Sequence, residues 1–234
     1  MGYYYYDYTY FIYLLPALIV SMIAQFRVQS AFRRYSEVRN GRNLTGAEAA
    51  RQVLQFHDLT NVPIQRIAGN LTDHYDPSSN SISLSEPVYG SATISAVGVA
   101  AHEAGHAVQY ATGYAPLKLR AALVPVTRFT STLAFPVILV GFFLPVQYDF
   151  VISAGIALYS VAVLFSLVTL PVEFNASFRA VAALEQSGIL DEEELSGAKK
   201  VLKAAAMTYV ASTFASLMSL LRLIAIANGR RGRR

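Results

Sequence analysis

His102, Glu103 and His106 stand in the order His-Glu-x-x-His, within His102-Glu103-Ala104-Gly105-His106. Residues four apart on a helix share a face, so the two imidazoles can reach one metal ion while Glu103 addresses a water beside it. Hydrolysis at neutral pH needs this set: neutral nitrogen ligands, a metal that lowers the pKa of water towards 7, and a carboxylate to take the proton. The chain has four His in 234 residues, and two of them fall at the ligand spacing. Independent draws from this composition give roughly 0.003 such matches, so a pair of helix-packing histidines is a poor competing reading. Cysteine is absent. Disulfides, thiolate metal sites and a Cys nucleophile are therefore excluded, and any metal must be held by His, Asp or Glu.

Catalytic zinc takes three protein ligands and keeps a fourth position open. Glu173 stands out for the third, because it follows Leu170-Pro171-Val172 at the end of an apolar run, where an ionisable group is a functional candidate by default. A solvated helix-end carboxylate is the competing reading, and at this point both stay open. Ala100, Ala101, Ala104, Gly105 and Ala107 would let a helix bearing the third ligand come close. Asn175 and His74 could steady a zinc ligand or an oxyanion. His74, however, lies in the turn-like stretch 73–80, where a structural role is the stronger reading. Arg179 comes six positions after Glu173, about 600° around a helix, so it points away from the glutamate and could instead pair with a carboxylate elsewhere.

The elements that must carry these residues are mostly apolar. Hydrophobic residues make up 54% of the chain and charged residues 15%, with a mean hydropathy of +0.38, against about 25% charged in an ordinary soluble domain. Four long apolar runs, at 10–26, 121–144, 150–170 and 204–227, approach or exceed the roughly 20 residues that cross a bilayer. The first is expected to be retained as an anchor, since no basic segment precedes it and no small-x-small cleavage site follows it. Tyr3 to Tyr6 before it resemble an interfacial aromatic belt. The second and third runs form a hairpin. The fourth, with several Ser and Thr and Arg222, spans or lies in the interface. Arg27, Arg33, Arg34, Arg39 and Arg42 follow the first run and Lys118 and Arg120 precede the second, which assigns the intervening region to the cytoplasm. If the fourth run spans, Arg230, Arg231, Arg233 and Arg234 end on the outer side, against that rule. The net charge of +4 and pI near 9.3 belong to membrane flanks and tail, so the bilayer, and no nucleic acid, is the expected partner.

The expected fold is therefore a mainly α membrane protein of three to four transmembrane helices with a small α+β, zincin-like cytoplasmic domain. Its divisions are an anchor at 8–27, the His-Glu-x-x-His domain at 28–118, a hairpin at 119–171, a cytoplasmic segment with Glu173 at 172–203, an apolar helix at 204–228 and a basic tail at 229–234. Within the domain, a helix at 46–57 is capped by Thr45 or Asn43, a strand covers 62–67, and the alternation Ser81-Ile82-Ser83-Leu84-Ser85 reads as a second strand. The metal helix runs from about 92 to 110. Ser81, Ile82, Ser83 and Leu84, just before it, are expected to be an edge strand that binds extended substrate by β-augmentation.

Several stretches resemble the YugP-like neutral zinc metallopeptidases of bacterial membranes. They are Leu71-Thr72-Asp73-His74-Tyr75-Asp76-Pro77, Ile82-Ser83-Leu84-Ser85-Glu86, Val99-Ala100-Ala101-His102-Glu103-Ala104-Gly105-His106-Ala107-Val108-Gln109 and Leu170-Pro171-Val172-Glu173-Phe174-Asn175-Ala176-Ser177. The chain is also distantly similar to the HtpX and CAAX prenyl protease group. The resemblance covers nearly the whole chain and implies a gluzincin: one Zn²⁺ per chain held by His102, His106 and Glu173, with Glu103 as general base and acid. It further implies a multi-pass protein of the bacterial cytoplasmic membrane that cleaves peptides or membrane proteins. Phe178 stands where a basic residue would be expected before Arg179, a departure that leaves the metal ligands untouched. The rival reading is a zinc-binding membrane scaffold without catalysis, which would have no need of Glu103. A metal transporter fits poorly, because its ionisable residues would gather at the bilayer midplane.

Overall fold

The computed structural model describes residues 8–231, so Tyr3 to Tyr6, Arg233 and Arg234 lie outside the described residues. The chain forms two compact units, one drawn from Met1–Ile23, Leu119–Thr169 and Tyr209–Arg234, the other from Ala24–Lys118 and Leu170–Thr208. Helices α1 (Leu15–Ser36), α5 (Ala115–Phe143), α6 (Phe150–Gln186) and α7 (Glu192–Arg231) each contribute to both. These four are long and apolar enough to cross a membrane, and a helix satisfies every backbone group internally, as hydrocarbon demands. The protein is a mainly α membrane protein with a small α+β region.

In the first unit α5 and α6 pack closely through glycine. A Cβ on Gly141 would stand 2.6 Å from Ile152 Cγ1, so no larger residue fits there without displacement. α7 ends at the turn of this hairpin. Arg230 donates to the carbonyls of Phe142, at 2.7 Å, and Leu144, and its Nε is 3.0 Å from Asp149 Oδ1. Arg222, two turns earlier, donates to Thr9 Oγ1 at 3.2 Å and lies 4.0 Å from the ring centroid of Tyr10. α7 thus reaches the turn from which α6 sets out, and it is long and apolar enough to span. Arg222 and Arg230 are each held inside the unit by polar or aromatic partners.

The second unit holds α2 (Gly46–Phe56), β1 (Ile64–Ile67), β2 (His74–Asp76), β3 (Ser81–Ser85), the single turn α3 (Glu86–Tyr89) and α4 (Ile94–Ala111). Thr45 caps α2 in a reciprocal capping box with Glu48, which satisfies two of the helix's orphan donors. α2 turns Ala49, Ala50, Val53 and Leu54 into a core shared with Ile82, Leu84, Val97, Ala101 and Leu184.

The sheet corrects one expectation. Its order is β1-β3-β2, with Ile82 opposite Ile64 in a parallel pair and opposite Tyr75 in an antiparallel pair. β3 is therefore the central strand, and all five of its residues are buried. Ile82 and Ser83 are paired on both sides, Ser81 pairs with Asp76 and Leu84 with Arg66, so the strand lies inside the sheet and offers no free edge for β-augmentation. His74, Tyr75 and Asp76, read as turn residues, supply the antiparallel neighbour instead. Asp73, next to them, accepts from the backbone N–H of Ser85 at 2.8 Å and from its hydroxyl, fixing the end of β3.

Candidate metal centre

α4 is the platform of the site. Thr93 caps it by accepting from the N–H of Ala96, and its small residues bury it almost entirely, so His102 and His106 have little freedom. Four residues apart, their rings meet edge to face at 4.7 Å between centroids. α6 crosses at Gly105, where a Cβ would fall 2.5 Å from the carbonyl oxygen of Ala176. This contact brings Glu173, three residues earlier on α6, over the imidazoles. Glu173 Oε2 lies 3.3 Å from His102 Nε2 and 3.6 Å from His106 Nε2, and the three ligand atoms lie within 4.8 Å of one another.

These spacings match a metal ion. Zinc binds imidazole nitrogen and carboxylate oxygen at about 2.0–2.2 Å, and a tetrahedron with arms of that length has edges of about 3.4 Å. The donor set also suits a cation. Glu173 is 2% exposed, and an ionised carboxylate is costly to bury unless it is paired; a dication among two neutral imidazoles and one carboxylate supplies that balance. The competing reading of Glu173 as a solvated helix-end carboxylate does not hold.

Two residues that carried no role in the sequence reading orient the histidines. Gln109 is fully buried and donates from Nε2 to the Val172 carbonyl at 2.8 Å and to Asn175 Oδ1 at 3.0 Å. Its Oε1 therefore faces His106 Nδ1, 3.0 Å away. An acceptor at that point selects the tautomer protonated on Nδ1 and leaves the Nε2 lone pair for a metal. Ser177 Oγ stands 3.1 Å from His102 Nδ1, the corresponding position for the other ligand. Both were within reach of spacing arguments, since Gln109 follows His106 by three positions and Ser177 follows Glu173 by four. Burial lowers the pKa of His106, but the hydrogen bond to Glu173 and the charges of Glu103 and Glu173 outweigh it and raise the pKa above its ordinary value. Protons and a metal ion thus compete for this ring.

Glu103 is buried at 7% exposure, and its charge reaches His106. Asn175 accepts from Gln109 and from Arg179 Nε, at 2.8 Å, so it braces Gln109, which in turn meets His106. Arg179 finds Asn175, one turn back on its own helix, and the ring of Tyr114 at 5.9 Å, where a carboxylate partner was the expectation. His74 is exposed, and its Nδ1 lies 2.8 Å from the Thr72 carbonyl, a local contact in line with the structural reading.

Two consequences concern the supports. Gly105→Ala must push α6 from α4 by several tenths of an ångström; it is expected to cost about 1–3 kcal/mol of stability and to weaken zinc binding, read by thermal melts and chelator competition. Gln109→Leu keeps the volume but removes the acceptor, and zinc affinity should fall about 10- to 100-fold with helicity unchanged by circular dichroism.

The family model described as "Putative neutral zinc metallopeptidase" matches residues 10–228. The chain is 47% identical over 222 residues to the "Putative membrane protease YugP" of Bacillus subtilis (strain 168), covering 94% of this chain and 98% of that protein. No solved structure matches significantly.

Proposed function

The chain belongs to this family of neutral zinc metallopeptidases, and from that premise we propose that it is an endopeptidase with one zinc ion per chain, held by His102, His106 and Glu173. The observation that carries the proposal is the convergence of two imidazole Nε2 atoms on one Glu173 carboxylate oxygen, at 3.3 and 3.6 Å, on the helix that also carries Glu103. Zinc, when bound there, supplies a Lewis acid that polarises a peptide carbonyl and makes water a nucleophile near neutral pH. The chain's own residues do the rest. Glu103 takes the proton from the attacking water and delivers it to the departing amine nitrogen, so that one carboxylate serves as base and then as acid. Gln109 keeps the His106 imidazole in the tautomer that presents Nε2 and ties α4 to the Val172 carbonyl of α6, holding ligands from two helices in register, while the Ser177 hydroxyl contacts His102 Nδ1 and fixes the orientation of that ring. Cleavage of casein or a quenched fluorogenic peptide by the detergent-purified chain tests the proposal: chelation should abolish it and zinc restore it. Chelator-resistant cleavage, or none with zinc bound, would refute it.

The metal centre is proposed to face the cytoplasm of a bacterial cell, with peptides or membrane proteins as substrates. The five arginines that follow the apolar run 10–26, from Arg27 to Arg42, support this orientation, and the pairing of Arg230 with Asp149 lessens the opposing weight of the C-terminal arginines. With no native cysteine, a single introduced thiol reports its own side. Ser78→Cys should react with a membrane-impermeant maleimide only after cell lysis, whereas Gln147→Cys, in the exposed hairpin turn, should react in intact cells. The reverse pattern would invert the topology.

A further inference from the structure

α1 carries a second feature, apart from the metal centre, where the helix continues beyond its apolar run. Residues 10–26 contain no charge and Arg27 is the first after them, so the bilayer boundary falls at this point of the helix. Directly beyond it, Phe26, Gln29, Ser30, Arg33, Arg34 and Glu37 line an open surface groove of about 590 Å³. All six are exposed, and positions 26, 30, 33 and 37 follow one face of the helix. Arg33 and Arg34 precede Glu37 by four and three positions, where a helix brings opposite charges together. Among the described residues, however, neither forms an ion pair with it. The Arg34 guanidinium lies instead 5.7 Å from the ring centroid of Tyr35.

We propose that this groove binds the headgroup of a phospholipid that carries both a phosphate and a primary ammonium. Arg33 and Arg34 hold the phosphate, for which guanidinium groups offer forked donors. Gln29 and Ser30 donate to its remaining oxygens and to the ester oxygens below, and Phe26, 72% exposed, covers the glycerol and the first acyl carbons. Glu37, one turn further from the bilayer, pairs with the ammonium. A surface shaped for negative charge alone gains nothing from a carboxylate one turn from its arginines; a phosphate followed by an ammonium matches both signs in order. The inference rests on membrane insertion and is independent of the peptidase reading.

The test uses the full-length chain in nanodiscs of phosphatidylcholine containing equal small amounts of phosphatidylethanolamine and phosphatidylglycerol, with native mass spectrometry counting the lipids retained on release. Wild type should retain phosphatidylethanolamine about tenfold over phosphatidylglycerol, on the scale of one charge-assisted contact. Arg33→Gln/Arg34→Gln should lose about tenfold of the retention of both lipids. Glu37→Gln, of the same shape, should keep the phosphate contact and lose the preference. Equal or better retention of phosphatidylglycerol by wild type, an unchanged preference in Glu37→Gln, or wild-type retention by the double arginine variant would each overturn the proposal.

Discussion

Glu103→Gln is expected to keep its zinc and to lower peptide hydrolysis by about 10²- to 10⁴-fold, the range that a positioned general base contributes and equivalent to roughly 3–5 kcal/mol of barrier. Glutamine has the shape of glutamate, and position 103 is buried on α4 between the two histidines, so the substitution leaves packing and ligands in place while removing the group that accepts a proton. The effect should appear in kcat at constant metal content. A variant that lost zinc together with activity would give Glu103 a role in holding the site, and unchanged turnover would leave a zinc-binding scaffold as the better description.

Glu173→Ala should remove the metal. The wild-type carboxylate oxygen meets both Nε2 atoms at 3.3 and 3.6 Å, and without it two imidazoles alone face the ion. Loss of a residue that merely orients a ligand costs 10- to 100-fold in affinity, so loss of the ligand itself should exceed about 100-fold. Zinc-free folding should weaken as well: removing one partner of a buried pair is destabilising and truncation to alanine leaves a cavity, so the zinc-free variant is expected to melt earlier than zinc-free wild type. Saturating zinc at about 1,000 times its Kd stabilises wild type by roughly 4 kcal/mol, and the variant should show no such shift. Thermal melts with and without zinc separate these effects; a zinc-dependent shift of wild-type size in Glu173→Ala would remove the residue from the ligand set.

The parts of the site legible in the sequence are those whose geometry is local. His102, Glu103 and His106 sit within one turn and a half of helix, and the spacing alone puts both rings on one side. The four long helices announce themselves by uninterrupted apolar composition. Glu173 lies 71 positions from His102, and only its place at the end of an apolar run, with the family resemblance, singled it out. Ser177 shares a face with Glu173, yet serine in an apolar helix commonly bonds its own backbone one turn back, as Ser160 does here, so its type alone pointed nowhere. Gln109 carries no signal of its own in the sequence, because its partners Val172 and Asn175 belong to another helix. The strand at 81–85 was legible as a strand, but alternation cannot tell a centre from an edge. That depends on pairings with residues 64–67 and 74–76, and the second of these falls in the stretch 73–80, whose Asp, Pro and Asn read as a turn. Arg179 illustrates the limit of angular arithmetic: 600° from Glu173 does point away from it, but 400° from Asn175 brings Arg179 back onto that residue's face and into its hydrogen bond.

The central claim is that one zinc ion, held by His102, His106 and Glu173, hydrolyses peptides with Glu103. Stepwise addition of zinc to metal-stripped, detergent-purified wild type, with bound metal and the cleavage rate of a fluorogenic peptide followed on the same sample, tests it most directly. The rate should climb in proportion to bound zinc, level off at one equivalent per chain, and stay near zero throughout the same titration of Glu103→Gln. Cleavage that is present before any zinc is added, or that is matched by Glu103→Gln at equal zinc occupancy, would contradict it.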